Sequence, residues 1–310
     1  MTHFFIRLLY KRPFIHLLRI VGIIIGFLFF IHFVHTARAA EYSAFKVTVT
    51  GKGQPMILIP GATCSGHEWD ETVARYSSRY ECHALTLAGY AGTAPLPAGP
   101  YLVTMQRQIQ QYITDKKLNN VILVGHSIGG FLSLCIAADM KDHLGGVIVV
   151  DALPFFAAFS NPAAADTVNT AMAEQSLVRY NAMSNEQLKA SQRQMAVFMC
   201  RDSTHWDDIA EWGAASDKRT MAWTMAEMLG TDMRSRISTI KVPVLVMAAW
   251  CETPEYPAFT RSSVQQVFSG QYSACKTCTV HVAEGNTRHF VMYDNPQWYF
   301  AEIDNFIAAR

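Results

Sequence analysis

NVILVGHSIGGFLSLCIAADM, residues Asn120–Met140, decides the reading of this chain. Four aliphatic residues lead into Gly125-His-Ser-Ile-Gly-Gly130, and the apolar run that resumes at Phe131 has the length and composition of a helix. A short continuous apolar run is how a strand buried on both faces looks. The glycines explain the break that follows, because side chains at Gly125 and Gly129 would collide in a tight strand-to-helix turn. The pattern G-x-S-x-G placed between strand and helix is a nucleophile elbow, in which a strained turn projects the serine hydroxyl from the end of the sheet.

Working outward, β-rich runs are predicted at Phe45–Thr50, Pro55–Pro60, Tyr80–Gly89, Asn120–His126, Gly146–Asp151, Pro243–Trp250 and Cys278–Glu284. Gly51-Lys-Gly53 between the first two is a hairpin signature. Helical patterns at His67–Ser77, Tyr101–Lys117, Phe131–Met140, Thr260–Phe268 and Pro296–Ala309 alternate with the strands. That alternation predicts an α/β fold, a mostly parallel central sheet with helices on both faces. Residues 154–240 interrupt it with helical patterns, eight of the chain's fourteen methionines, and Trp206, Trp212 and Trp223. An insertion of that kind is predicted to be a helical cap over the C-terminal strand ends, where open α/β sheets bind ligands.

Residues 1–40 form a separate segment. Arg7, Lys11, Arg12 and Arg19 precede an apolar run over 20–34, and small residues around Ala37 and Ala39 follow. This is the pattern of an export signal peptide; uncleaved, the same run is a membrane anchor. Either way the remainder is expected outside the cytoplasm: periplasmic, secreted or membrane-tethered. The segment holds five of the 26 basic residues and none of the 25 acidic ones, so the remainder carries −4. No clustered basic surface follows Ala40, and no nucleic-acid partner is expected.

Seven cysteines leave at least one unpaired in a monomer. Cys135 reads as a small core residue. Cys275-Lys-Thr-Cys278 precedes a strand and not a helix, and no second pair completes a zinc site. A local disulfide or free thiols are preferred there to redox or metal chemistry. No cofactor and no metal are called for.

The chain resembles the α/β-hydrolase fold family, in its capped lipase, esterase and aminopeptidase branch of exported bacterial type, over nearly everything after Phe45. Pro55-Met-Ile-Leu-Ile-Pro-Gly-Ala62 resembles the strand and oxyanion loop, with Pro60-Gly61 where His-Gly is common. Leu85-Thr-Leu-Ala-Gly-Tyr-Ala-Gly92 resembles the loop that usually reads Asp-x-x-Gly-x-Gly. Arg288-His289-Phe-Val-Met292, leading into Asn295-Pro296, resembles the catalytic-histidine segment. The resemblance implies a core built from 41–153 and 241–310, with 154–240 as the cap.

A serine that cleaves an ester needs a base, a group that orients the base, and donors for the oxyanion. Ser127 is the expected nucleophile and His289 the expected base, since His126 is locked inside the elbow. His67, His83, His143, His205 and His281 read as surface or helix-end residues. Two carboxylates keep the order serine, acid, histidine: Asp151, at a strand end, and Glu252, just past the next strand. The resemblance favours the second place, where relatives carry Gly-x-x-Asp-Pro, but Trp250-Cys-Glu-Thr-Pro254 lacks that glycine and shifts the proline. Asp151 is therefore preferred, with Glu252 as the alternate. The backbone N–H groups of Ala62 and Ile128 are the expected oxyanion hole. The expected function is hydrolysis of a carboxylic ester, a small hydrophobic molecule, through an acyl-enzyme. An amidase or aminopeptidase of the same fold, or a non-catalytic, receptor-like member, is the alternative. A dehalogenase would require aspartate where Ser127 stands.

Overall fold

Seven β-rich runs form the strands β1 (Phe45–Thr50), β2 (Gln54–Ile59), β3 (Tyr80–Leu87), β4 (Val121–His126), β5 (Leu144–Val150), β6 (Val244–Ala248) and β7 (Cys278–Val282) of a computed structural model. It describes residues 42–310 except 141, 160, 162 and 253–258; the segment 1–40, with its apolar run over 20–34, lies outside the described residues. Among the described residues no helix is long and apolar enough to cross a membrane.

The sheet order is β1-β3-β2-β4-β5-β6-β7, parallel throughout except for β1. The expected hairpin between β1 and β2 does not form. β1 instead lies antiparallel on the far side of β3, with Phe45 opposite Leu87 and Thr50 opposite Cys82. Gly51 and Gly53 have φ of 89° and 126°, and their Cα atoms pass against the backbone of residues 77–80. The glycines thus carry the chain across the start of β3, a close approach that side chains would block.

Alternation along the strands feeds two apolar layers. Met56 and Leu58 of β2 pack into one with Trp69, Tyr76, Tyr299 and Ile303. Ile57 and Ile59 point into the other, shared with Ile109, Phe131 and Leu132. The covering helices are α1 (Asp70–Tyr76), α2 (Tyr101–Asp115), α3 (Ile128–Asp139), and, after β6, α8 (Arg261–Gln271), the one-turn α9 (Val291–Asp294) and α10 (Pro296–Ala308). Every residue of β4 is buried, as is every residue of α3 except Asp139. The elbow therefore sits between two fully enclosed elements, which leaves its backbone little room to relax.

Between β5 and β6 the described chain forms helices and no strand: α4 (Thr170–Asn181), α5 (Asn185–Met199), α6 (Trp206–Ala214) and α7 (Lys218–Leu229). Local side-chain caps start α4, α5 and α7. Ser184 and Gln187 form a reciprocal capping box, and the Asn169 and Asp217 side chains accept from Met172 and Thr220 N–H groups. α7 is tied to the sheet layers: Thr224 meets the Tyr90 hydroxyl at 2.6 Å, and the buried Glu227 carboxylate accepts the N–H groups of Tyr101 and Leu102 at the start of α2. Burial raises the pKa of that carboxylate, while those two N–H groups oppose the rise. Cys275 and Cys278 are joined in a disulfide with Cα atoms 5.4 Å apart, and Cys64, Cys82, Cys135 and Cys200 are buried thiols.

Gly129 at the elbow and Gly270 inside a helix differ in what they can tolerate. A Cβ on Gly129 would overlap the carbonyl oxygens of Ile59 and Pro60, whereas one on Gly270, inside α8, would meet nothing within 4 Å. Gly129→Ala is expected to destabilise by about 1–3 kcal/mol through overpacking against backbone. Gly270→Ala is expected to stabilise by about 0.5–1 kcal/mol through helix propensity. Denaturant unfolding of both measures the contrast; equal midpoints would refute the close approach at the elbow.

Candidate active site

Three non-glycine residues with positive φ stand at the C-terminal ends of adjacent strands: Thr63 (65°) after β2, Ser127 (53°) after β4 and Asp151 (47°) after β5. Such conformations are strained and persist where the surroundings enforce them. At Ser127 the enforcement is visible. Its N–H donates to Val150 O at 2.9 Å, and its carbonyl accepts from Phe131 N at 3.0 Å, the first turn of α3. A Cβ on Gly125 would overlap the Gly129 carbonyl, so both elbow glycines are required by contact and not by φ.

Asp151 is held in the same way. Its N–H donates to Met247 O at 2.7 Å, and its Oδ1 accepts from Ala249 N at 2.9 Å. The other oxygen, Oδ2, lies 2.6 Å from His289 Nδ1, with both side chains about one-sixth exposed. A carboxylate on Nδ1 leaves Nε2 as the ring nitrogen able to take a proton. Glu252 is placed otherwise: it is exposed, and its backbone N–H donates to Asn286 Oδ1 at 2.7 Å. Of the two acids named from sequence, Asp151 is the one that meets the His289 ring.

His289 lies in the segment after β7, which is knitted to the end of α5. Phe290 N donates to Met199 O at 3.2 Å, and Arg288 Nη1 to Val197 O at 2.5 Å. Asp294 gathers the backbone around this junction, its Oδ1 accepting from Arg201 N and Asp202 N and its Oδ2 from Arg288 N. Sequence reasoning did not single out Asp294, because an acid one residue before Asn-Pro reads as an ordinary helix-end group.

Ile128 follows the serine directly in the chain, and Ala62 follows β2, the strand beside β4. Ile128 is the first residue of α3, so its N–H has no acceptor within the helix. Ala62, half-buried, lies between Gly61 and the strained Thr63. Gly61 N donates to the buried Glu68 carboxylate at 2.8 Å, leaving the N–H of Ala62 as the next donor along the loop. Cys64 is near but is no rival nucleophile: burial pushes its thiol pKa well up, and the charge of Glu68 adds to the effect.

The remaining histidines fall into two groups. His67 pairs with Asp70 on the surface, His143 meets Leu118 O, His205 stacks on Tyr293 at 3.6 Å, and His281 meets Glu302. His83 departs from the surface reading. It is buried in β3 with Nδ1 2.7 Å from the Tyr112 hydroxyl, and burial lowers its pKa. Among the described residues no group of three or more metal-ligating side chains occurs.

A mostly parallel seven-stranded sheet, with a strained serine between its central strand and a buried helix, defines the α/β-hydrolase fold. The sequence profile of the alpha/beta hydrolase family matches residues 56–302, and the chain belongs to that family. Among curated proteins, the pimeloyl-[acyl-carrier protein] methyl ester esterase of Vibrio cholerae serotype O1 is 29% identical over 110 residues, 36% of this chain and 41% of the relative. The soluble epoxide hydrolase of a Corynebacterium is 24% identical over 120 residues, 39% of this chain and 42% of the relative. The chain thus spans about two fifths of the length of the curated relatives it matches. Among solved structures, an esterase from Exiguobacterium antarcticum shares the fold at a TM-score of 0.67 and 16% identity, covering 86% of this chain and 98% of the other. An enol-lactonase from Burkholderia xenovorans does so at 0.67 and 15%, covering 85% and 96%.

Proposed function

We propose that this protein is a serine esterase. The observation that supports the reading is a strained serine after β4 together with a histidine after β7 whose Nδ1 is held by an aspartate after β5, its ring 4.5 Å from that of His126, the serine's neighbour in the chain. In this reading Ser127 Oγ attacks the ester carbonyl as His289 Nε2 takes its proton, and the negative charge on the carbonyl oxygen is met by the N–H groups of Ala62 and Ile128. Collapse expels the alcohol, which receives the proton from His289 and leaves an acyl group on Ser127. Water, deprotonated by the same histidine, then attacks the acyl carbonyl, and its collapse releases the acid and restores the serine. Asp151 keeps the ring in the tautomer that receives at Nε2 and stabilises the imidazolium.

The helices between β5 and β6 act as the cap in this reading, and the substrate is a small ester with a hydrophobic portion. Phe156 and Phe159 support this, lying a few residues beyond Asp151 and remaining 39% and 40% exposed. The names of the matched relatives, an acyl methyl ester esterase among them, support ester chemistry. Residues 1–40 are proposed as an export signal or, uncleaved, a tether, which places the enzyme outside the cytoplasm. A panel of p-nitrophenyl esters of increasing acyl length tests the proposal. kcat/KM should rise from acetate to a medium chain, each buried CH₂ adding up to about 0.8 kcal/mol to binding, and then fall where the pocket ends. Absence of hydrolysis across the panel would refute it.

A further inference from the structure

Behind the elbow lies a polar group that the ester mechanism does not use. The side chains of His126 and Glu68 are 1% and 0% exposed, and His126 Nδ1 is hydrogen-bonded to Glu68 Oε1. The other oxygen of Glu68 accepts Gly61 N–H at 2.8 Å, and His126 Nε2 lies 3.0 Å from the carbonyl oxygen of His289. A carbonyl only accepts, so Nε2 carries a proton and donates it. One further proton is then shared between Nδ1 and Glu68, and the pair is neutral as a unit. The His126 ring also sits 4.5 Å, centroid to centroid, from the His289 ring. It lies so close to Gly61 that a Cβ there would be 2.8 Å from its Nδ1.

An unbroken buried chain therefore runs from the loop before Ala62, through Glu68 and His126, to the backbone that carries His289. A buried ion pair is weak support for stability, since apolar residues of the same volume often serve as well. What this chain does that apolar residues could not is hold two loops, one after β2 and one after β7, by directed bonds at both ends.

We infer that Glu68 and His126 are positioning residues that hold the oxyanion loop and the His289 backbone in register around Ser127, an inference that rests on the esterase reading. His126 is then not a second base; it acts through His289, and Glu68 acts through Gly61.

The full chain carrying Glu68→Gln, Glu68→Asp or Glu68→Ala tests this, with Tyr76→Phe as a control that loses hydroxyl bonds to Asp304 and Arg75 on the α1–α10 side. The readouts are kcat and KM on the best ester of the panel, and the rate at which a fluorophosphonate labels Ser127, all taken well below each protein's unfolding midpoint. Gln can accept from Gly61 and donate to a neutral His126, so it is expected to lower kcat no more than about threefold, since both directed bonds survive. Ala breaks both ends and is expected to lower kcat and the labelling rate about 100-fold, the scale of an oxyanion donor displaced by an ångström, with KM nearly unchanged. Asp, one methylene shorter, reaches one partner at a time and is expected to fall between; it carries the test if the Ala variant fails to fold. The control is expected to lose stability without losing kcat. If Ala and Asp keep full turnover, or if Gln is as impaired as Ala, the inference is overturned while the esterase reading stands. If the wild type neither cleaves esters nor labels at Ser127, the reading fails and the inference falls with it.

Discussion

Ser127→Ala is expected to abolish ester turnover, a loss of about 10⁵–10⁶-fold if the serine acts with His289 as one unit. Stability should stay within about 0.5 kcal/mol of wild type, because the hydroxyl makes no cap bond and the bonds that hold the residue come from its backbone. The mechanism explains the asymmetry. In the proposed mechanism every covalent step passes through Oγ, whereas the strained turn is enforced by Gly125, Gly129 and the Val150 carbonyl. Turnover on the p-nitrophenyl panel, read beside circular dichroism and thermal unfolding, measures both halves. A variant that kept more than a few per cent of activity would remove Ser127 from the nucleophile's role.

The second large effect separates the two acids. Asp151→Asn should lower kcat by about 10⁴-fold, the scale of the same exchange in a serine protease. Asparagine tolerates the positive φ at this position, and its oxygen can still accept from Ala249 N, so the backbone has no reason to move. Its amide, however, would present N–H to His289 Nδ1. The imidazole would then be held with its own proton on Nε2, unable to accept from the serine. Glu252→Gln should leave kcat near wild type, since that side chain is exposed and Glu252 is tied to Asn286 by its backbone N–H. A collapse of kcat in Glu252→Gln beside a nearly normal Asp151→Asn would reverse the assignment.

The reach of the sequence is clearest at the elbow. Gly125, Ser127 and Gly129 are legible because a strand-to-helix turn is a local event, decided by which residues can occupy a few crowded positions. The seven strands and the helices between them are legible for a related reason: apolar periodicity reports burial one segment at a time. The same logic misled at Gly51-Lys-Gly53, where glycines that serve a crossing over β3 look like glycines that serve a hairpin. It misled again at His83, whose Tyr112 partner is 29 positions away.

By itself, then, the sequence determined the α/β layering and the glycine-fenced turn at Ser127, both of which follow from local sterics and from the alternation of apolar residues. Only the tertiary structure decided which strand pairs with β1, which carboxylate meets the His289 ring, and that Glu68 and Asp294 reach the loops of the site. Asp151 and His289 are 138 positions apart, and Glu68 and His126 58. Bonds of that range depend on where whole strands end in space. The physical reason is directional: a hydrogen bond is made or lost within an ångström, and that placement is the sum of all the packing between its partners.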